Sequence, residues 1–205
     1  MTTIIAIQGD GFAVICCDSR IADIDKDGYI SQVSTLREGV SKVAVNGKYL
    51  LGAAGDLRAI NLLHHAFSPP PVPPGLKGKK LDQFITVKFV PALRECFETQ
   101  GYAMPEKDAK SHIAEHESTI IVALLGCVYI VDGDYAWMSD ASGIYAIGTG
   151  ASYALGALQA LMPKANSKLT IQQAKSLSLK VLNIVTKYDP HTALPFNTFI
   201  QESLK

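Results

Sequence analysis

The sequence predicts an α+β protein in which two antiparallel sheets are stacked face to face and helices cover their outer faces, in four layers of the order αββα. Apolar runs rich in β-branched residues come first, helical periodicity follows, and the two kinds of segment then repeat. This order fits neither a sheet of alternating strands and helices nor a sandwich of strands alone. The 205 residues, 48% of them hydrophobic, suit a single domain spanning residues 1–205.

The chain opens with two predicted hairpins. The apolar runs TTIIAIQ and FAVICCD flank Gly9 to Gly11, and two short β-rich runs joined by glycines are typical of a hairpin. The runs SKVAV and KYLLGAAG flank Asn46-Gly47, a pair that tolerates the positive φ angles of a tight turn. Four strands are therefore expected before the first helix.

Two helices are expected next, on either side of a proline-rich segment. Apolar residues recur at helical spacing from Asp56 to Phe67 and again from Leu81 to Phe97. The segment between them, SPPPVPPGLKGKK, contains five prolines, which lack amide donors and disfavour a helix or a central strand. Residues 68–80 are therefore predicted to form a surface insertion.

The second half of the chain repeats the order of the first. STIIVALLG and CVYIVDG are predicted strands, with shorter ones near Ala136 and Ile144. Helical periodicity returns from Tyr153 to Met162 and from Ile171 to Tyr188. The run FNTFIQ is predicted to form the last strand.

The composition excludes several classes of function. Nineteen basic residues balance nineteen acidic ones, so no overall field is present to hold nucleic acid or an anionic membrane. The cysteines lie in apolar runs without metal-ligand spacing and are expected to be buried thiols in a reducing compartment. They are Cys16, Cys17, Cys96 and Cys127. Neither a membrane-spanning run nor a secretory signal is visible, which predicts a cytoplasmic protein.

Several short motifs occur in an order that resembles one family. They are TTIIAI after Met1, DSR at Asp18 to Arg20, SKV at Ser41 to Val43, AAGD at Ala53 to Asp56, YAIGTGASYALGAL at Tyr145 to Leu158, and a D-x-x-T pattern at Asp189 to Thr192. Together they resemble the N-terminal nucleophile (Ntn) hydrolases, specifically proteasome β-subunits and the HslV-type peptidase. The resemblance implies the four-layer αββα fold and a peptidase site that needs no cofactor.

Thr2 is the candidate nucleophile that the resemblance implies. An N-terminal threonine combines a hydroxyl that attacks a carbonyl with an α-amine, of ordinary pKa about 8, that accepts the proton. Thr2 has this amine only after Met1 is removed, and methionine aminopeptidases accept a threonine in the second position. Taken without the other motifs, a threonine at this position simply favours the start of a strand.

Three further residues resemble the family's site beside the nucleophile. Lys42 resembles the lysine whose charge lowers the pKa of the threonine amine and hydroxyl, and Asp18 resembles the aspartate that pairs with it. From the residues alone, a solvated pair at a strand end is the alternative. Gly55 resembles the glycine whose amide faces the developing oxyanion.

The GTGAS segment departs from the family pattern. Many members place a serine here that hydrogen-bonds the catalytic amine, and direct alignment puts Ala151 at its position, with Thr149 and Ser152 beside it. Either a neighbouring hydroxyl substitutes or the proton shuttle is weakened, and Ser152 is included among the candidate site residues. Asp189 and Thr192 resemble the family's supporting aspartate and its hydroxyl partner, although YDPHT also suits a helix-ending turn.

The resemblance also assigns a pocket for the substrate side chain. By alignment its walls are Ile21, Ala44, Ala53 and Leu57, all uncharged. A roomy apolar pocket favours a large hydrophobic side chain before the scissile bond, since each buried methylene contributes about 0.8 kcal/mol.

Two other patterns are reminiscent of metal sites. DIDKDGYISQ places Asp23, Asp25 and Asp27 as in an EF-hand loop, but Ser34 stands where the bidentate glutamate is required, so a solvated turn is favoured and calcium binding is left open. HIAEH, from His112 to His116, matches the H-x-x-E-H pattern of zinc peptidases. No third ligand is identifiable, so a solvated connector is favoured there.

These observations predict a threonine-type peptidase or amidohydrolase that acts on peptides or unfolded proteins through an acyl-enzyme intermediate. The alternative is a catalytically silent Ntn-fold subunit that retains Met1 and serves structure or assembly. Family members act in rings, so a homo-oligomer is expected, and an ATPase partner is left open. No metal, nucleic acid or membrane partner is expected.

Overall fold

The computed structural model describes residues 2–27, 29–103, 115–163 and 169–203. Within these ranges the chain forms two larger antiparallel sheets, a two-stranded hairpin and helices. The predicted order of strands, helices, strands, helices and a last strand is confirmed. The fold is therefore mixed α and β, as the sequence predicts.

The secondary-structure elements have the following bounds. The strands are β1 (Thr3–Gly9), β2 (Phe12–Cys17), β3 (Arg20–Ile24), β4 (Ile30–Thr35), β5 (Val43–Asn46), β6 (Tyr49–Ala54), β7 (Thr119–Leu124), β8 (Cys127–Val131), β9 (Trp137–Met138), β10 (Ile144–Gly148) and β11 (Asn197–Glu202). The helices are α1 (Leu57–His65), α2 (Lys79–Phe84), α3 (Val90–Thr99), α4 (Ala151–Leu161) and α5 (Ile171–Val185). A π-helical segment, Ile85–Phe89, joins α2 to α3. Among the described helices, none has the length and apolar composition needed to cross a bilayer.

The strands pair in two larger antiparallel sheets. The four-stranded sheet has the order β10-β1-β2-β11, and the five-stranded sheet has the order β5-β6-β7-β8-β9. The predicted turn at Asn46-Gly47 is confirmed, because Asn46 pairs with Tyr49 and Gly47 has a φ of +60°. Thr3 pairs with Gly148, so the start of β1 lies between β2 and β10 inside the sheet.

Three apolar clusters hold these elements together. Along β1 the side chains alternate, so that Ile4 joins a cluster containing residues of both larger sheets and Ile5 joins a second cluster with α4 and α5. A third cluster unites the five-stranded sheet with α1, α2 and α3. The central strand β2 is buried along its whole length, which explains why FAVICC is apolar without alternation.

The segment predicted as a solvated turn, Asp23 to Gln32, is instead largely a β-hairpin. Strands β3 and β4 pair antiparallel in a sheet of their own. The turn prediction was wrong for the residues that belong to β3 and β4, because β4 is exposed along its whole length and its sequence lacks the apolar alternation of a half-buried strand. A turn does form at the tip, where Asp25 Oδ1 accepts hydrogen bonds from the amides of Asp27 and Tyr29.

The proline-rich segment connects α1 to α2 without regular secondary structure over residues 68–78, and α2 begins at Lys79, inside the predicted insertion of residues 68–80. The hydroxyl of Tyr49 donates a hydrogen bond to the carbonyl oxygen of Pro70 at 2.7 Å. Val72 and Leu76 pack against the cluster under the helices. The segment is therefore fastened to the five-stranded sheet by both a polar contact and apolar packing.

Candidate active site

Thr2, the candidate nucleophile, lies directly before β1 and is 2% exposed. Its carbonyl oxygen accepts a hydrogen bond from the amide of Thr149 at 2.9 Å and lies 3.4 Å from Thr149 Oγ1. Gly148 permits this close approach, because its φ is +93° and a Cβ at this position would lie 1.9 Å from the Thr2 oxygen. The turn after β10 therefore fixes the place where the chain enters β1.

Asp18 and Lys42 form an ion pair that is completely buried. Lys42 Nζ lies 2.7 Å from Asp18 Oδ1, and both side chains have 0% exposure. The same Oδ1 accepts the amide of Thr3 at 2.9 Å, while Oδ2 accepts the amides of Arg20 at 3.0 Å and Ala193 at 3.4 Å. The pair is therefore not solvated at a strand end, which was the alternative.

Burial lowers the pKa of Lys42 from the ordinary lysine value, because the charged form loses its hydration. The charge of Asp18 and its hydrogen bond oppose this shift and favour the protonated lysine. Through the amide of Thr3, the same carboxylate is attached to the residue that follows the candidate nucleophile. The Asp18 side chain therefore both favours the charged form of Lys42 and fixes the backbone of Thr3.

A second carboxylate, that of Asp189, accepts hydrogen bonds from hydroxyl groups near the start of β1. Asp189 Oδ2 accepts hydrogen bonds from Thr192 Oγ1 at 2.5 Å and from Thr149 Oγ1 at 2.9 Å. Thr192 Oγ1 also lies 2.6 Å from Thr3 Oγ1, which accepts the amide of Gly150 at 3.2 Å. Each hydroxyl has one proton, so a Thr192 that donates to Asp189 must accept from Thr3. The protons in this network therefore point from Thr3 through Thr192 to Asp189.

Thr3 is a site residue that the sequence did not single out. It is 0% exposed, its amide is bound to Asp18, and its hydroxyl lies 3.4 Å from Asp189 Oδ2. The available signal was the second hydroxyl in the pair Thr2-Thr3, but a threonine at the beginning of a strand is common. Only the tertiary contacts distinguish Thr3 from an ordinary strand residue.

Ser152, the predicted partner of the amine, is exposed in the first turn of α4. The hydroxyl that lies near Thr2 is that of Thr149, which contacts both the Thr2 carbonyl and Asp189. The structure thus brings Thr149, and not Ser152, into this network. Both residues are exposed, so their hydrogen bonds and not their burial distinguish the two hydroxyls.

Gly55 follows β6 in the loop that leads into α1. Its φ is +128°, which favours glycine, and a Cβ here would lie 2.4 Å from the carbonyl oxygen of Glu117 and 2.7 Å from Ser118 Oγ. Asp56, the next residue, caps the N-terminus of α1 with its side chain. The loop and Thr2 line the same cavity.

This cavity beside Thr2 has a volume of about 180 Å³. Of the four predicted pocket residues, Ile21 and Leu57 line it. Ala44 and Ala53 are 2% and 0% exposed and belong to the apolar cluster under α1 to α3. They form part of the core beneath the helices and do not line this cavity.

The cavity is not uniformly uncharged as predicted. Asp23, from the EF-hand-like segment, lines it together with Asp56. Asp25 binds the amides of its own turn, and Gly28 lies outside the described residues. In the part of the chain that the structure describes, no group of three or more His, Cys, Asp or Glu residues is arranged to hold a metal ion.

The HIAEH pattern is described only at its end, because His112 lies outside the described residues. His116 is 6% exposed and packs among aromatic rings, with centroid distances of 5.0 Å to Phe97 and 4.9 Å to Tyr135. Burial lowers the pKa of His116 to about 4, so the ring is neutral near pH 7. His116 is therefore a core residue, and the prediction of a solvated connector is wrong for this end of the pattern.

The four cysteines are free thiols. Cys16 and Cys17 are buried, as predicted, whereas Cys96 and Cys127 are half-buried. Burial raises the pKa of Cys17 to about 11, which leaves it protonated and unreactive at neutral pH.

The fold of the chain is that of the proteasome-type Ntn hydrolases. The structure of BPH from Thiobacillus denitrificans matches with a TM-score of 0.72 and 17% identity, over 99% of this chain and 99% of that chain. HslV from Trypanosoma brucei matches with a TM-score of 0.60 and 20% identity, over 98% and 99% of the two chains. An Anbu (Gly-1) mutant from Hyphomicrobium sp. strain MC1 matches with a TM-score of 0.63 and 15% identity, over 98% of this chain and 82% of that chain.

The likeness is visible in three dimensions and not in overall sequence. No protein-family profile matches the chain, and no curated protein matches it by sequence. Identities of 15–20% establish a shared fold alone. The resemblance that the short motifs indicate is therefore confirmed at the level of the fold.

Proposed function

We propose that the protein is a threonine-type peptidase or amidohydrolase in which Thr2, freed of Met1, is the nucleophile. The observation that carries this proposal is the buried Asp18–Lys42 pair, whose carboxylate also holds the amide of the residue after Thr2. A buried ion pair has a large desolvation cost and adds little to stability, so its position next to the candidate nucleophile favours a role in chemistry. The proteasome-type fold agrees with this role.

The proposed reaction has two stages. Thr2 Oγ1 attacks the carbonyl carbon of the scissile amide, the α-amine takes the hydroxyl proton, and the oxyanion faces the amide of Gly55. The C–N bond then breaks, the leaving amine takes the proton from the α-ammonium group, and the acyl group remains as an ester on Thr2. Water attacks this ester and gives a proton to the same amine, which returns it to the threonine oxygen as the acid leaves.

The surrounding residues support these steps. Lys42 places a positive charge that favours the unprotonated amine and the developing alkoxide, and Asp18 keeps that lysine charged. Asp189, Thr149 and Thr192 orient the turn that binds the Thr2 carbonyl. We assign the supporting hydroxyl to Thr149 in place of Ser152. Of these two residues, only Thr149 contacts both Thr2 and Asp189.

The second candidate function is a catalytically silent structural or assembly subunit. Its basis is that Thr2 is preceded by Met1, and retention of Met1 turns the nitrogen of Thr2 into an amide that cannot act as a base. The intact mass of protein made in its native host distinguishes the two functions. Loss of one methionine supports catalysis, and uniform retention supports the silent subunit.

Activity is tested with Met1-free protein, fluorogenic peptides and a Thr2→Ala control. Turnover that disappears in Thr2→Ala supports the nucleophile, and equal turnover of both proteins contradicts it. A structure of BPH is a complex with epoxomicin. Labelling of the present protein by epoxomicin, read as an added mass that Thr2→Ala does not acquire, is a second measurement of the same claim.

The remaining features of the proposal concern architecture and assembly. The three apolar clusters support a single αββα domain over residues 1–205. We propose peptides or unfolded proteins as substrates, a homo-oligomeric ring as the assembly and the cytoplasm as the compartment. Light scattering at micromolar concentration tests the assembly, and a monomer contradicts it.

A further inference from the structure

We propose that Ser118 is a positioning residue for the oxyanion-binding amide of Gly55, and that Tyr102 holds the Ser118 hydroxyl in place. The inference rests on the proposed function, because Gly55 has an oxyanion to bind only in a hydrolase. Neither residue belongs to a motif that the sequence singles out. Ser118 Oγ accepts the amide of Asp56 in the Gly55 loop, and the Tyr102 hydroxyl lies within hydrogen-bond distance of the same Ser118 oxygen.

Gly55 is held on both sides by the chain around the start of β7. Before it, Ala54 pairs with Thr119 in the five-stranded sheet. After it, the amide of Asp56 donates a hydrogen bond to Ser118 Oγ at 3.0 Å. The two peptide groups that flank Gly55 are thus fixed by neighbouring residues of one segment, and the direction of the Gly55 amide follows from them.

Ser118 leaves no room for a side chain at position 55. A Cβ on Gly55 would lie 2.7 Å from Ser118 Oγ and 2.9 Å from Ser118 Cα. With no side chain on Gly55, the backbone of the loop lies directly against this serine, and the hydroxyl is the polar atom that meets it. Ser118 is 3% exposed, so water does not readily replace the hydroxyl as a partner for the Asp56 amide.

Tyr102 removes the rotational freedom of the serine hydroxyl. Its phenolic oxygen lies 2.7 Å from Ser118 Oγ. The tyrosine ring is itself fixed, because it packs edge to face against Phe97 with a centroid distance of 5.0 Å. The Ser118 hydroxyl thus has two hydrogen-bond partners, Tyr102 and the Asp56 amide, and one of its lone pairs stays directed at the amide.

His116 fixes the backbone of the same segment. The amide of Ser118 donates to His116 Nδ1 at 3.3 Å, and the amide of His116 donates to the carbonyl oxygen of Gly133 at 3.1 Å. A Cβ on Gly133 would lie 2.3 Å from the His116 carbonyl oxygen, so the two backbones are in direct contact. The backbone of Ser118, which supports the Gly55 loop, is therefore held in place through His116 and Gly133.

This arrangement matters most in the transition state. The negative charge on the substrate oxygen develops only as the carbonyl is attacked, and a hydrogen-bond donor helps in proportion to its alignment at that moment. Removal of the Ser118 hydroxyl leaves the Asp56 amide without its acceptor and lets the Gly55 peptide tilt. The expected consequence is a lower kcat at nearly unchanged KM.

The test compares Ser118→Ala and Tyr102→Phe with a matched control, Ser178→Ala. Ser178 is 0% exposed and lies in α5, which packs on the other large sheet. We expect kcat to fall about tenfold in Ser118→Ala and less in Tyr102→Phe, with KM within about twofold. We expect Ser178→Ala to retain the wild-type kcat.

Two ligands separate positioning from general loss of structure. A peptide aldehyde forms an adduct whose oxygen occupies the oxyanion site, so its inhibition constant should rise by about the factor by which kcat falls. The corresponding peptide alcohol has no carbonyl, and its affinity should not change. A kcat and an aldehyde affinity within about twofold of wild type in Ser118→Ala overturn the inference, as does an equal fall in Ser178→Ala.

Hydrogen exchange keeps this inference separate from the proposed function. In the wild type and in Ser118→Ala, mass spectrometry reports exchange in a peptide that spans the Gly55–Asp56 loop. We expect the Asp56 amide to exchange about tenfold faster without the serine hydroxyl. If wild-type protein and Thr2→Ala are equally inactive, the proposed function fails, while unchanged exchange in Ser118→Ala overturns the positioning role in either case.

Discussion

Replacement of Asp18 by asparagine is expected to destabilise the protein strongly, because it leaves Lys42 buried without a counter-ion. The two side chains are nearly equal in size, so no cavity forms. Asp18 accepts hydrogen bonds from the Lys42 ammonium group and from three backbone amides, those of Thr3, Arg20 and Ala193. An asparagine offers one acceptor oxygen in place of two, so its NH₂ group must face some of these donors.

The size of the effect has an upper limit that follows from lysine chemistry. Removal of one partner of a buried ion pair costs about 3–5 kcal/mol. If Lys42 instead loses its proton, the cost at pH 7 is about 4.6 kcal/mol, which is the free energy of neutralising a lysine of ordinary pKa about 10.4. We therefore expect the free energy of unfolding to fall by about 3–4.6 kcal/mol at pH 7.

The pH dependence identifies the buried charge as the cause. Asp18 raises the pKa of Lys42 in the folded protein, so the folded pKa is lower in Asp18→Asn than in the wild type. At a pH between these two values, the folded variant binds one proton fewer than the folded wild type. The difference in stability then narrows as pH rises, by about 1.4 kcal/mol per pH unit. Urea unfolding of the wild type and of Asp18→Asn at several pH values from 7 to 10 measures this difference in the free energy of unfolding.

The exposed pair Arg94–Glu98 provides a matched control. Its side chains are 40% and 39% exposed, although its N–O distance of 2.6 Å is as short as that of the buried pair. Exposed pairs contribute little to stability because water screens them, so Glu98→Gln should leave the urea midpoint almost unchanged. An Asp18→Asn effect no larger than that of Glu98→Gln, or one that stays constant from pH 7 to 10, would refute the claim that Asp18 keeps a buried Lys42 charged.

Other changes test the turn beside Thr2, the buried histidine and the charged cavity. Gly148→Ala places a Cβ 1.9 Å from the Thr2 carbonyl oxygen and should abolish turnover, and normal turnover in this variant would contradict the assigned role of the turn. The control Gly156→Ala meets nothing within 4 Å and should stabilise α4 by about 1 kcal/mol, measured by urea unfolding. The pKa of His116 is about 4, below the unfolded value of about 6.5, so stability should fall by up to about 3 kcal/mol as pH drops from about 6.5 to about 4. In urea titrations His116→Asn should lose this part of the acid sensitivity, and an unchanged profile counts against the assignment. Fluorogenic peptides with glutamate before the cleaved bond should be the slowest substrates, because two carboxylates line the cavity. The Asp23→Asn variant should cleave these glutamate peptides at a higher relative rate. A wild-type preference for glutamate would show that the substrate side chain binds elsewhere.

Local patterns in the sequence predicted those elements whose cause is itself local. Asn46-Gly47 forms the predicted turn because its φ preference does not depend on the rest of the chain. Helix α5 begins at the predicted Ile171 and ends at Val185, three residues before the predicted end, where the chain continues as turns to Tyr188. Strand β4 escaped prediction because it pairs with β3 without burying a face, and pairing alone leaves no apolar pattern.

The site shows the same division between local and tertiary causes. Asp18 and Lys42 were predicted as a pair by the order of the motifs, and the structure brings them within 2.7 Å. The sequence predicts Ser152 in place of Thr149, because a residue type in a short segment does not reveal which hydroxyl contacts Asp189. Ser118 was predicted only as the first residue of the strand run STIIVALLG, since its proposed role depends on a hydrogen bond to an amide 62 residues away in the chain.

The two carboxylates of the site act on the same short stretch of backbone. Asp18 holds the amide of Thr3, while the Thr3 hydroxyl lies in the network that ends on Asp189. Both carboxylates are hydrogen-bonded to the residue next to Thr2, so the charge on Lys42 and the position of the candidate nucleophile are coupled through Thr3. A buried ion pair adds little to stability by itself. Its place in this fold is explained if its purpose is to hold a lysine charge and the first residue of β1 in one fixed relation.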